Sequence, residues 1–162
     1  MIKKEKKTFI FLIIIILICL AAIIYLLLTR KSPDYAPIDI DPNAVEMKEK
    51  KEKLKAAKGG GSVALSYDSK VAITLNNKNI TLSFKNPSQS TQNMMLKILI
   101  EDNDIAESNL IPPGYSIYNL KLKDNVNLKQ GNYEGKFLIN YFDETGEKAN
   151  IDTVIPIKIA VQ

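Results

Sequence analysis

The sequence predicts an all-β domain, an antiparallel sandwich of about seven or eight strands, carried behind a single membrane-spanning helix. Three observations carry that expectation. From residue 63 onward, apolar residues recur at every second position, which is the strand period. Turn signals built from Gly, Pro, Asn and Asp interrupt the alternation every ~8–12 residues. Phe9 to Leu28 is a run of twenty residues without a charge, a Gly or a Pro. As a helix rising ~1.5 Å per residue it spans about 30 Å, the hydrocarbon thickness of a bilayer.

The apolar run is first in chain order. A buried core helix needs a polar face, and this run has none. A cleaved signal peptide has an apolar stretch of about 7–15 residues before a small-x-small site. Here the run continues to Leu28, and Thr29-Arg30-Lys31 offers no such triplet. Leu20-Ala21-Ala22 lies mid-run with a large residue at its outer position. Ile18 stands where a lipoprotein signal has a small residue, so Cys19 reads as an apolar filler. The expectation is an uncleaved signal anchor over 9–28 behind a cytoplasmic tail, 1–8. Lys3, Lys4, Lys6 and Lys7 precede the run against Arg30 and Lys31 just after it. The positive-inside bias then places everything beyond the anchor outside the cytoplasm. A lipid bilayer, met through Phe9–Leu28, is the first expected partner.

The formal charge of +4 is unevenly divided. Residues 1–62 carry 12 Lys/Arg against 7 Asp/Glu, a net of +5, and residues 63–162 carry 10 against 11, a net of −1. A nucleic-acid-binding domain concentrates cations on its own surface, so no nucleic-acid partner is expected. There is no His or Trp, and the single Cys lies in the apolar run. That excludes an intrachain disulfide, His/Cys zinc sites, and Ser-His-Asp or Cys-His catalysis. Carboxylate pairs are the remaining acid–base machinery, and none sits in a recognisable motif. Neither an enzyme nor a cofactor is expected.

Prolines at 33, 37 and 42 favour an extended strut after the anchor. Asp39-x-Asp41-x-Asn43 begins like a calcium loop, but Ala44 stands where a Gly is needed and Lys50 where a Glu is needed. Residues 43–58 are rich in helix formers. Asp41 can cap them, Pro42 suits the first helical position, and Glu46/Lys50 and Glu49/Lys53 are i,i+4 pairs. A short exposed stalk helix is therefore expected. Gly59-Gly60-Gly61-Ser62 reads as a flexible joint, so that 29–62 is linker and the sandwich begins at Val63.

Val63, Leu65 and Tyr67 open the alternation, followed by Val71, Ile73 and Leu75 and a turn at Asn76-Asn77-Lys78. Ile80, Leu82 and Phe84 alternate next, ending at Asn86-Pro87-Ser88. Met94 to Ile100 is more continuously apolar, as a strand covered on both faces would be. Glu101 to Asp104 reads as an acidic loop and Ile105 to Leu110 as a short strand or edge segment. Ile111-Pro112-Pro113-Gly114 breaks any ladder. Ile117, Leu120 and Leu122 mark the next strand. Gly131 then leads into Tyr133, Gly135, Phe137, Ile139 and Tyr141 on one face. Asp143 to Glu147 is a hairpin loop, with Gly146 placed for positive φ. The last strand aligns Ile151, Thr153, Ile155, Ile157, Ile159 and Val161. The number and spacing of strands suit a sandwich of immunoglobulin-like size, without the disulfide and core Trp of antibody domains.

Three runs go further: Leu110–Leu122, with its Pro-Gly turn ahead of an alternating strand; Leu128–Phe137, with Leu128-x-x-Gly131-x-Tyr133; and Tyr141–Glu147. Together with the anchor they resemble small immunoglobulin-like sandwich domains of membrane-anchored surface proteins from Firmicutes, the Gram-positive bacteria. The resemblance covers about residues 63–160. It implies a fold and a location and carries over no functional residue.

Glu101, Asp102 and Asp104, with Glu107, are candidate oxygen ligands for a divalent cation, set against the plainer reading of a solvated loop. Tyr115, Tyr118 and Tyr133 are candidates for a binding face, set against ordinary half-buried tyrosines. Asn79-Ile80-Thr81 fits a glycosylation acceptor, which matters only in a eukaryotic secretory setting. The expected function is a single-pass, extracytoplasmic module that works by protein–protein contact at the bacterial surface, accessory to an envelope or conjugation apparatus. Its edge strands would be the docking sites. A pilin-like structural subunit is one alternative, although Lys7 to Leu12 lacks the Gly and Glu of a pilin processing site. A cation- or ligand-binding surface domain is the other.

Overall fold

A computed structural model of the chain describes residues 15, 16, 18, 20, 35–37, 39–56 and 60–162. The period-two stretches form strands, as their alternation requires. They are β1 (Val45–Glu46), β2 (Ser66–Tyr67), β3 (Lys70–Thr74), β4 (Asn79–Asn86), β5 (Asn93–Ile100), β6 (Asn103–Glu107), β7 (Tyr115–Lys121), β8 (Gly131–Phe142) and β9 (Thr153–Val161). The domain is all-β. Its strands form one sheet in the order β1-β7-β4-β3-β9-β8-β5-β6, with β2 also on β4.

The sheet is mixed, not purely antiparallel as expected. β3 runs parallel to β9, matching Val71 to Ile159 and Ile73 to Val161. The other strand pairs are antiparallel. β3 thus joins a β3-β4-β7 half to a β9-β8-β5 half. The sheet curls until the chain just after β7 reaches the far edge, where Lys123 N–H donates to the Ile105 carbonyl at 2.9 Å. Pro156, which has no N–H to give a ladder, lies where β9 pairs with β8 alone, before the β3 pairing begins at Lys158.

The inward positions of each strand meet in one core. Ile73, Ile80, Phe84, Leu96, Ile98, Ile117, Phe137 and Ile139 are completely buried there. Phe137 is its centre, edge-to-face with Phe84 at 6.1 Å and with Tyr67 at 6.4 Å.

Two expected elements are replaced. The stalk helix does not form among the described residues 43–56, which are extended and include β1 against Tyr115 and Ser116 of β7. The helix loses because its backbone donors find partners on the sheet. Met47 N–H reaches the Gly114 carbonyl at 2.7 Å, Lys51 N–H the Ser88 Oγ at 2.7 Å, and Leu54 N–H the Gln89 carbonyl at 2.8 Å. A lone helix of this length is marginal, so modest competition suffices. Likewise the joint is not free at its far end: Ser62 and Thr91 share three hydrogen bonds of 2.8 to 3.1 Å. The compact unit containing the sheet accordingly runs from Tyr35 to Gln162.

The acidic loop is a two-residue hairpin turn. Glu101 and Asp102 both take left-handed backbone, φ 49° and 65°, and β6 starts at once at Asn103. Two such residues in succession match the right-handed twist of the flanking strands. Asn-Gly is the pair best suited to that backbone. Glu101→Asn with Asp102→Gly is therefore expected to raise stability by about 1 kcal/mol in urea denaturation, even with an exposed ion pair to Lys136 lost.

Most of the anchor Phe9–Leu28, and all of the tail 1–8, lie outside the described residues. The four that are described, Ile15, Ile16, Ile18 and Leu20, are helical and exposed. Among the described residues, no helix is long and apolar enough to cross a membrane.

Candidate functional site

The acidic hairpin presents its carboxylates to lysines. Asp102 pairs with Lys136. Asp104 meets Lys123 at 2.8 Å, and Glu107 lies 3.3 Å from Lys123 and 3.5 Å from Lys97. The hydrogen bond that Lys123 donates to Asp104 is the largest influence on it, and with Glu107 it outweighs burial and raises the lysine above its ordinary pKa. Among the described residues, no three acidic, His or Cys side chains are placed to share a metal ion.

The three candidate tyrosines do not converge. Tyr115 and Tyr118 lie on β7 and Tyr133 on β8, with β4, β3 and β9 between them in the sheet. Tyr115 is half-buried against the core, and its N–H closes the Pro112-Pro113-Gly114 turn on the Pro112 carbonyl at 3.1 Å. Gly114 takes φ 92° there, which a side chain rarely adopts. Tyr133 is half-buried, and its hydroxyl donates to the Lys129 carbonyl at 2.9 Å, tying the start of β8 to the turn before it. Tyr133→Phe is expected to cost about 1 kcal/mol by urea denaturation. Tyr118 alone is open to solvent, at 40%.

Tyr118 belongs to an open edge. β1 covers β7 only at Tyr115 and Ser116, so among the described residues no strand pairs with Ile117 to Lys121 on that side. That backbone can accept an added strand.

Two surface clefts flank the sheet. One of about 800 Å³ is bounded by Val63, Gln92, Tyr141, Asp143, Glu147 and Ile151. The other, of about 620 Å³, lies between Lys70, Val71, Tyr133, Glu134, Lys158 and Ile159. Ile151, expected at the start of the last strand, precedes β9 and is 74% exposed at the first cleft. Asp143 shapes that cleft's hairpin. Its Oδ1 accepts the Thr145 hydroxyl at 2.6 Å and the N–H groups of Thr145 and Glu147 at 2.8 and 3.0 Å. The Thr145 hydroxyl most of all, then the Glu147 N–H, lowers the carboxyl below its ordinary 3.8. A lowered acid stabilises the folded state above its unfolded value, and that contribution is lost as pH falls through the folded one. A carboxyl-carbon NMR titration should place the Asp143 midpoint below 3.8, and Thr145→Val should move it back up.

Two polar side chains organise this end in roles that the sequence does not reveal. Asn86 is completely buried, and its Nδ2 donates to the carbonyls of Gln92 and Ile111, each at 2.9 Å. Asp41 is also buried, its Oδ1 taking Asn43 N–H and its Oδ2 taking Asn109 N–H, both at 2.8 Å. Asp41 was legible as a cap but not as a clasp, because Asn109 is distant in sequence.

Fold and geometry together define an all-β domain on one curled, mixed sheet with an open edge at β7. The chain matches no protein-family model, and no curated protein matches it.

Proposed function

We propose that this chain is a single-pass membrane protein of the Gram-positive cell surface. Its sheet unit would be an immunoglobulin-like module held outside the cytoplasm and acting by protein–protein contact. The strand order supports the fold assignment. β3-β4-β7 follows the A-B-E order of an immunoglobulin sandwich and β9-β8-β5 the G-F-C order, with β6 beyond C. Tyr133, near the start of the F-like strand, bonds back to Lys129 in the manner of the tyrosine corner of such domains. The anchor rests on the length and uncharged composition of Phe9–Leu28, with apolar helical residues exposed at four of its positions.

The observation that carries the function is the outer edge of Ile117–Lys121: β4 pairs with this stretch on one side, and among the described residues no strand pairs with it on the other. A partner's extended segment adds there as a strand, its main chain supplying affinity and Tyr118 lying at hand for side-chain contact. An envelope or conjugation assembly suits such a tethered module.

Cell fractionation with N-terminal sequencing tests the anchor. The expected result is membrane-bound protein beginning at Met1 or Ile2, and recovery from culture fluid without its first thirty or so residues overturns it. A photo-crosslinker at exposed Asn119 tests the edge. It should capture a partner protein in intact cells, whereas one at Asn132, far across the sheet order, should not. Equal labelling from both positions sinks the edge reading.

A further inference from the structure

We infer that the described residues of 35–56 form a strap that peels from the sheet as a unit while the sheet stays folded, and so lengthens the tether. The strap is held mainly by polar contacts, with Ala44 half-buried against the core and Met47 half-buried beside it in the chain. Among its described residues only Asp41 is buried, while Tyr35, Ile40, Val45 and Leu54 are 69%, 49%, 54% and 38% exposed. A segment with few buried apolar contacts and solvent-exposed hydrogen bonds opens at far lower cost than a core strand.

The strap's partners lie in the loops at one end of the sheet. Ala36 N–H bonds the Gly146 carbonyl at 2.9 Å, and Asp41 N–H the Leu110 carbonyl at 2.9 Å. Leu110 N–H returns to the Asp39 carbonyl at 3.2 Å. Farther along, Met47, Lys51 and Leu54 donate to Gly114, Ser88 and Gln89. β1 adds a two-residue ladder on β7. Asp41 is the latch, the one charged residue buried among the strap's described residues.

Peeling has a natural end at Ser62. Its three bonds to Thr91 lie between loops of the sheet unit, and Gly61 sits so close to Gln92 that an added Cβ would lie 2.1 Å from its amide nitrogen. Beyond that point the chain enters the core strands.

The consequence is a change in reach. With Tyr35 docked, it lies seven positions beyond Leu28, a span of at most ~25 Å. With the strap released, Ser62 lies thirty-four positions beyond Leu28, a span of up to ~120 Å. The peeling is a property of the sheet unit alone, whereas its use as an extensible tether rests on the membrane-anchored reading above.

Hydrogen exchange of the full chain in detergent micelles tests the strap without assuming the anchor's orientation or the partner. The amides of 41–54 should exchange at least 100-fold faster than those of β5 and β8. Asp41→Ala should speed the strap a further tenfold or more, Asp41→Asn less, with β8 unchanged. The inference is overturned if 41–54 and β8 share one exchange rate, or if Asp41→Ala accelerates both alike. Failure of the anchor reading would appear only in the fractionation experiment.

Discussion

Phe137→Ala should lower the stability of the sheet unit by about 4 kcal/mol, the largest single effect we expect. The ring has no exposed surface and stands at the meeting of the two halves of the sheet. It is paired with Ile98 on β5 and Ile155 on β9, and edge-to-face with Phe84 and Tyr67. Truncation removes the transfer free energy of the ring, leaves a cavity that strands on both sides cannot collapse into, and forfeits two aromatic contacts. Phe137→Leu keeps most of the volume and should cost about 1–1.5 kcal/mol. Urea denaturation of both variants against the wild type checks this. A loss under about 1 kcal/mol for the Ala variant would mean that Phe137 is not the centre of the core.

Gly135→Ala should cost about 2–3 kcal/mol, although glycine inside a strand is ordinarily the weaker residue. Gly135 lies within β8, opposite Ile100 of β5 and Ile157 of β9. A Cβ built there would lie 2.5 Å from Ile159 Cδ1 and 2.7 Å from the Leu99 carbonyl oxygen. The isoleucine methyl can swing aside, but the Leu99 carbonyl belongs to the neighbouring strand and cannot move alone. Ile159→Val in the Gly135→Ala background should therefore recover only part of the loss, a coupling that a double-mutant cycle in urea measures. A stabilised Gly135→Ala would show that the close approach of β5 to β8 is not maintained.

The core was largely legible in the sequence. Ile73, Ile80, Phe84, Phe137, Ile139, Ile157 and Ile159 all stood out by alternation, and all are buried. The turns at Asn76–Lys78, Pro112–Gly114 and Asp143–Gly146 were signalled by residue type, and each carries a left-handed residue, namely Lys78, Gly114 and Gly146. Less legible was the candidate site. The acidic residues could be picked out as a cluster, but their lysine partners come from other strands, Lys97, Lys123 and Lys136. The tyrosines could be picked out one by one, but not the fact that three strands separate Tyr133 from the other two.

Residues 43–56 show where local reading fails. Their helix formers and i,i+4 charge pairs are real, yet the segment lies extended, because Gly114, Ser88 and Gln89 offer acceptors from 35 to 67 positions away. The parallel pairing of β3 with β9 was hidden for a related reason. Alternation is identical in parallel and antiparallel strands, and Lys70 and Lys158 are brought side by side only by the order of strands in the sheet.

By itself the sequence determined which side chains face inward and where the chain turns, because side-chain direction and turn backbone are local properties of a few consecutive residues. Tertiary structure alone decided that residues 43–56 lie extended rather than helical, that the sheet is mixed and curled, and that among the described residues no strand covers the outer edge of β7 beyond Ser116. Those outcomes depend on which hydrogen-bonding groups lie beside a backbone in space, and sequence distance carries no record of that.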